Sequence, residues 1–116
     1  YGHDPKLIKV LNGGLKKWLK EKKKITDEIS KIDKSDYRSS EIKDLVKSKE
    51  AIDQNIDKKI FTLIDARSRE RFEGKIPEPR KGLRSGCIKN SFCIPFNDCL
   101  NDDKTFKNKD QLKEIF

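Results

Sequence analysis

The run Ile60-Phe61-Thr62-Leu63-Ile64, ending in Asp65, constrains this chain more than any other feature. Only 33% of the 116 residues are hydrophobic and 41% are charged, so there are few places from which a core can be built. A β-branched and aromatic run without a breaker predicts a strand over 60–65, of the kind seen where both faces of a parallel sheet are covered. The next segment carries Gly74, Pro77, Pro79, Gly82 and Gly86, which predicts a structured loop and not a helix. Phe92-Cys93-Ile94 predicts a second strand, ended by Pro95 because proline cannot donate to a central ladder. Arg71 and Arg80 lie nine residues apart in the loop between them. A strand ending in an acid, followed by a loop with fixed guanidinium groups, is how an α/β domain presents an anion site at its strand ends.

Charge sets limits on partners. Lysine and arginine number 28 against 20 aspartates and glutamates, a net charge of +8, with an isoelectric point near 9.4. The excess is mostly lysine, interleaved with acids and tightly clustered at Lys22-Lys23-Lys24 alone, and aromatic interleaving for base stacking is missing. A solvated lysine-rich surface accounts for this better than a nucleic-acid interface, so nucleic acid is not expected as a partner. Cys87, Cys93 and Cys99 are odd in number and lack Cys-x-x-Cys spacing, and His3 is the one histidine. Neither a zinc site nor a secreted disulfide framework follows, and reduced thiols in an intracellular setting are expected, without metal or cofactor. No run approaches the 18 or so apolar residues of a membrane span, so no membrane partner is expected.

Leu7-Ile8-Lys9-Val10-Leu11 predicts a short, mostly buried strand, and Asn12-Gly13-Gly14 a sharp turn after it. Leu15, Trp18 and Leu19 then repeat at helical spacing, and Trp18 is expected to anchor that helix to a sheet. From Lys20 onward the chain is polar, with Ile25, Ile29 and Ile32 too sparse to demand a core, so its first part is predicted to be a linker. Ile42, Leu45, Val46, Ile52 and Ile56 could form one helical stripe, but a shorter helix from Lys49, capped by Ser48 and preceded by an extended Leu45-Val46, is preferred. Asn108, with Gln111 three residues on, signals a final helix. Methionine is absent and Phe116 falls inside the pattern Leu112, Ile115, Phe116, so a piece of a longer chain is expected. N-terminal processing plus a frayed tail is the alternative.

The order Asp65-Ala66-Arg67-Ser68, Arg71-Phe72-x-Gly74, Pro77-Glu78-Pro79-Arg80-x-Gly82, Gly86-x-Ile88 and Ile94-Pro95-Phe96 resembles the tandem-domain rhodanese sulfurtransferases, especially those acting on 3-mercaptopyruvate. Val10-Leu11-Asn12-Gly13-Gly14 with Trp18 is similar to the end of that family's first domain. The resemblance implies an α/β, rhodanese-like fold, a parallel sheet flanked by helices, here incomplete. Residues 1–21 would be the end of the first domain, 22–59 a lysine-rich linker and lead-in helix, and 60–116 the N-terminal half of the second. Where the family usually has Gly-His-Ile-Pro-Gly, this chain reads Gly86-Cys87-Ile88-Lys89-Asn90.

The function implied is transfer of sulfane sulfur from 3-mercaptopyruvate or thiosulfate, through a cysteine persulfide, to cyanide, a thiol or a protein acceptor, in cytoplasm or mitochondrion. Arg71 and Arg80 match the arginines the family uses to bind the anionic donor. On the residues alone, Arg71 could instead pair with Glu70, Glu73 or Glu78, and Arg80 could be a surface arginine. Asp65 is expected to order the loop by accepting backbone or arginine hydrogen bonds. The family's nucleophilic cysteine lies in a later loop, so no catalytic residue is expected in this chain and no turnover from it in isolation. Cys93, inside an apolar strand, is expected to be inert, and Cys87 and Cys99 open to incidental oxidation. The rival functions are a non-catalytic rhodanese-like interaction or anion-binding module and a basic nucleic-acid-binding protein.

Overall fold

The computed structural model describes residues 2–38 and 40–116. In chain order the regular elements are α1 (Gly14–Lys20), α2 (Lys49–Lys58), β1 (Leu63–Asp65), α3 (Arg69–Phe72), β2 (Ser91–Cys93) and α4 (Lys109–Ile115), with single 3₁₀ turns at Pro5–Leu7, Lys43–Leu45 and Phe96–Cys99. The two strands pair in parallel, with Leu63 opposite Ser91, Ile64 opposite Phe92 and Asp65 opposite Cys93.

β1 is shorter than the 60–65 strand expected from sequence, and the reason is a side chain. The Asn55 amide, near the end of α2, donates from Nδ2 to the Phe61 carbonyl and accepts the Phe61 N–H at Oδ1, both at 2.9 Å. Backbone groups satisfied in this way are withdrawn from a ladder. Asn55 is only 6% exposed, the one polar residue buried backbone and side chain together among the described residues. Beyond β2 the pairing continues for two bonds, Ile94 N–H to the Asp65 carbonyl at 3.1 Å and Phe96 N–H to the Ala66 carbonyl at 3.0 Å. Pro95 sits between these two donors, so its missing N–H costs the sheet nothing.

The shorter form of α2 is the one observed. Ser48 Oγ accepts the Ala51 N–H at 3.3 Å, and Val46 is extended after the 3₁₀ turn. α4 opens with a complete capping box, in which Asn108 accepts from the Asp110 and Gln111 backbones and Gln111 Oε1 accepts the Asn108 N–H.

Four expectations are corrected. Residues 7–11 form no strand. Asp4 accepts the Lys6 N–H and Pro5 opens a 3₁₀ turn, after which Val10 is 73% exposed with no strand beside it to pair with among the described residues. Trp18 is half-buried, but it does not meet the sheet: its indole N–H donates to the Lys24 carbonyl at 2.9 Å and Lys23 Nζ lies 5.6 Å from its ring centroid, so it folds the chain following α1 back on itself. The 66–90 loop is not free of helix, because α3 forms one turn within it. The sheet is not covered on both faces, since Ile64 is 43% and Phe92 63% exposed. Apart from Pro95, no aliphatic or aromatic residue is buried among the described residues, as the thin apolar content foretold.

α1 rests instead on polar contacts with residues far along the chain. Asn12 Oδ1 accepts the Phe106 N–H at 2.9 Å, and Lys17 Nζ meets Asp103 Oδ2 at 2.7 Å.

Candidate anion-binding site

The loop leaving β1 is ordered by its own charges. Asp65 Oδ1 accepts the Arg67 backbone N–H at 3.0 Å, and the same carboxylate takes Arg67 Nε at 3.0 and 3.1 Å and Nη2 at 2.5 Å. An aspartate at a strand end readily caps the turn two residues on in this manner. Arg67 then reaches outward: Nη1 donates to Glu78 Oε1 at 2.6 Å and Nη2 to the Gly86 carbonyl at 2.8 Å. One guanidinium thereby ties the strand end, the Pro77-Glu78-Pro79 segment and the approach to β2. Its planar fork of donors is suited to several acceptors at once, which a lysine ammonium could not reproduce.

Glu78 is the second hub. Its side chain is 4% exposed and binds Arg71 as well, accepting Nε on Oε1 at 3.3 Å and Nη2 on Oε2. Two guanidinium groups and two carboxylates thus form a continuous, formally neutral network. The hydrogen bonds from Arg67 hold the Asp65 carboxyl below its ordinary pKa, and the hydrogen bond from Arg71 does the same for Glu78 against the opposing effect of burial. The Asp65 carboxylate in turn raises the pKa of Arg67, so all three groups stay charged near neutrality.

Arg71 and Asp65 are therefore brought together, through Arg67 and Glu78. Arg80 is not part of the network: it is exposed in the turn after Pro79, with no hydrogen bond or ion pair among the described residues. Of the pairings open to Arg71 in the sequence, Glu78 is the one formed. A recess at the carboxyl ends of the two strands is lined by Arg67, Ser68, Arg71, Pro95, Phe96 and Asp98, among others, the position where open α/β sheets bind ligands. None of Cys87, Cys93 and Cys99 lines it, and all three thiols are free and partly covered. No group of three His, Cys, Asp or Glu side chains that could hold a metal occurs among the described residues.

Where the sequence departs from Gly-His-Ile-Pro-Gly, its last residue adopts a backbone conformation typical of glycine. Asn90, at the final glycine of that pattern, has φ +64°, and its Nδ2 donates to the Ile56 carbonyl at 2.9 Å. Asparagine is among the few side chains that tolerate this left-handed conformation.

No protein-family profile matches the chain. Individual relatives do. It is 36% identical over 117 residues to thiosulfate sulfurtransferase of Rattus norvegicus, an alignment covering 100% of this chain and 39% of the relative. With 3-mercaptopyruvate sulfurtransferase of Mus musculus it shares 31% identity over 116 residues, covering 100% and 38%. The chain is a homologue of the rhodanese-type sulfurtransferases. The crystal structure of the Tum1 protein from Saccharomyces cerevisiae superimposes with a TM-score of 0.71 at 28% identity, over 89% of this chain and 39% of that one. The α/β, rhodanese-like class expected from the motifs is borne out. This sulfurtransferase homologue spans about two fifths of the length of the relatives it matches.

Sequence reasoning named Asp65, Arg71 and Arg80 but gave no site role to Arg67 or Glu78. The available signals were the i, i+2 spacing of Asp65 and Arg67 at a strand end, and an acid held between two prolines.

Proposed function

We propose that this chain is the anion-holding part of a sulfurtransferase that moves sulfane sulfur from thiosulfate or 3-mercaptopyruvate, through a cysteine persulfide, to cyanide, a thiol or a protein acceptor. The observation that carries the reading is the placement of Arg67 and Arg71 side by side in a recess at the ends of a parallel strand pair. Such a site suits a small, doubly charged or planar anion, because guanidinium stays charged and donates in a fixed plane. Arg71 supplies the ordered contact. Arg80, exposed and free of competing acceptors among the described residues, supplies a second one that closes on the donor when it arrives. Asp65 orders the loop and takes no proton from substrate.

The nucleophile in this proposal is a thiol other than Cys87, Cys93 and Cys99, none of which lines the recess. Residues 1–21 then belong to a preceding domain and 22–59 connect it to the unit beginning at residue 60. Residues 23–38 and 40–42, without helix or strand, are consistent with a connecting role. No helix among the described residues is long and apolar enough to cross a membrane, and three free thiols suit a reducing compartment such as cytoplasm or the mitochondrial interior.

The test is thiocyanate production from thiosulfate and cyanide, or sulfide release from 3-mercaptopyruvate and a thiol. The intact protein should turn over, residues 1–116 alone should not, and Arg71→Ala should raise KM for the donor. Turnover by residues 1–116 that is lost on replacing Cys87, Cys93 or Cys99 would refute the assignment.

A further inference from the structure

We propose that Glu78 is a positioning residue for Arg71, gripping one edge of its guanidinium so that the opposite donor, Nη1, is presented to the anion. The inference rests on the anion-holding reading of Arg71 given above. Glu78 engages Arg71 through Nε and Nη2, and Nη1 makes no hydrogen bond among the described residues. A two-point grip fixes the plane of the group as well as its position, which a single contact would not do.

Glu78 is itself immobilised on three sides. Pro77 and Pro79 flank it and restrict its backbone. Its carboxylate is 4% exposed and takes Arg67 Nη1 at 2.6 Å, and Arg67 is pinned by Asp65 and the Gly86 carbonyl. The chain of contacts therefore runs from the strand end to the donor edge of Arg71 without passing through a mobile side chain. The arrangement also has an electrostatic consequence. Because Glu78 and Asp65 neutralise the two arginines at rest, the recess attracts anions weakly by net charge and selects them by hydrogen-bond direction.

The opposite role would be competition, in which Glu78 occupies Arg71 and must be displaced before a donor binds. The two roles predict opposite signs. Thiosulfate is titrated into the intact protein by calorimetry, while the Arg71 side-chain protons are followed by NMR. In the wild type, the ion should shift the Nη1 protons and leave Hε in place. Loss of the Hε position on binding would overturn the proposal in favour of displacement, and this measurement needs no variant. Glu78→Gln should weaken thiosulfate binding about tenfold, the equivalent of losing one well-placed charge-assisted contact. Arg71→Lys, which keeps the charge and loses the fork, should weaken it similarly, and the double variant should lose little more than either single one. Unchanged or tighter binding by Glu78→Gln, with Arg71→Ala still impaired, would overturn the positioning role and leave the anion site standing. Unchanged binding by Arg71→Ala would remove the anion site and the positioning role together.

Discussion

Residues 23–38 with 40–42, and residues 66–90, are both charge-rich, and both are mostly without regular structure, yet they differ in what surrounds their side chains. In the first, Ile29 is 95% and Ile32 88% exposed, and the long-range side-chain hydrogen bond that reaches it is an exposed contact between His3 Nδ1 and the Tyr37 hydroxyl. In the second, a carboxylate 4% exposed is shared between two guanidinium groups, one of which also binds a strand end and a backbone carbonyl. Charge content does not order a loop. Order follows when one charged acceptor is taken out of water and a partner of it is held at further points, because leaving a member unpaired then becomes costly.

The sharpest way to break this contrast is Arg67→Ala. It leaves Asp65 without a guanidinium partner, Glu78 with Arg71 alone and the Gly86 carbonyl without its donor, and should lower the thermal midpoint by roughly 10 °C, followed by circular dichroism. Acid should act on the same network without mutation. Asp65 and Glu78 have depressed pKa values in the folded protein, so in acid the unfolded chain binds more protons and stability rises with pH. Their contribution should be complete above the ordinary carboxylate values of about 4 and lost as pH falls through the lower folded values, seen as a thermal midpoint level from neutrality to about pH 5 and dropping below that. Asn55→Ala leaves both backbone groups of Phe61 without a partner and should cost about 2 kcal/mol, measured from the urea midpoint. Ile29→Ser, in the other region, should change stability by no more than about 0.5 kcal/mol in the same assay; a larger loss would show that the exposed isoleucines contribute packing after all.

What the sequence disclosed was local or carried by spacing. Ser48 and the Asn108–Gln111 pair announced their helices because a cap needs only its neighbours, whereas Pro95, read as a strand end, falls between two donors that carry the pairing past it. The motif order from Asp65 to Phe96 disclosed the likeness to the rhodanese-type sulfurtransferases. The misses share a different cause. A strand is a pairing, so Leu7 to Leu11 could look like one and lack a neighbour, and Trp18 could look like an anchor while bonding the chain six residues away. Asn55 was invisible because its partner, Phe61, lies across a helix end, and Arg67 because its role requires Glu78 and Gly86 to converge from 11 and 19 residues off.

The polar contacts of α1 bear on the timing of folding. Asn12 meets Phe106 across 94 positions of chain, and Lys17 meets Asp103 across 86. Closing loops of that length sacrifices chain freedom before any contact compensates for it, so such pairings tend to form late. As the polypeptide emerges from the ribosome, Asn12 and Lys17 must wait for these partners until residues 103 to 106 have been made.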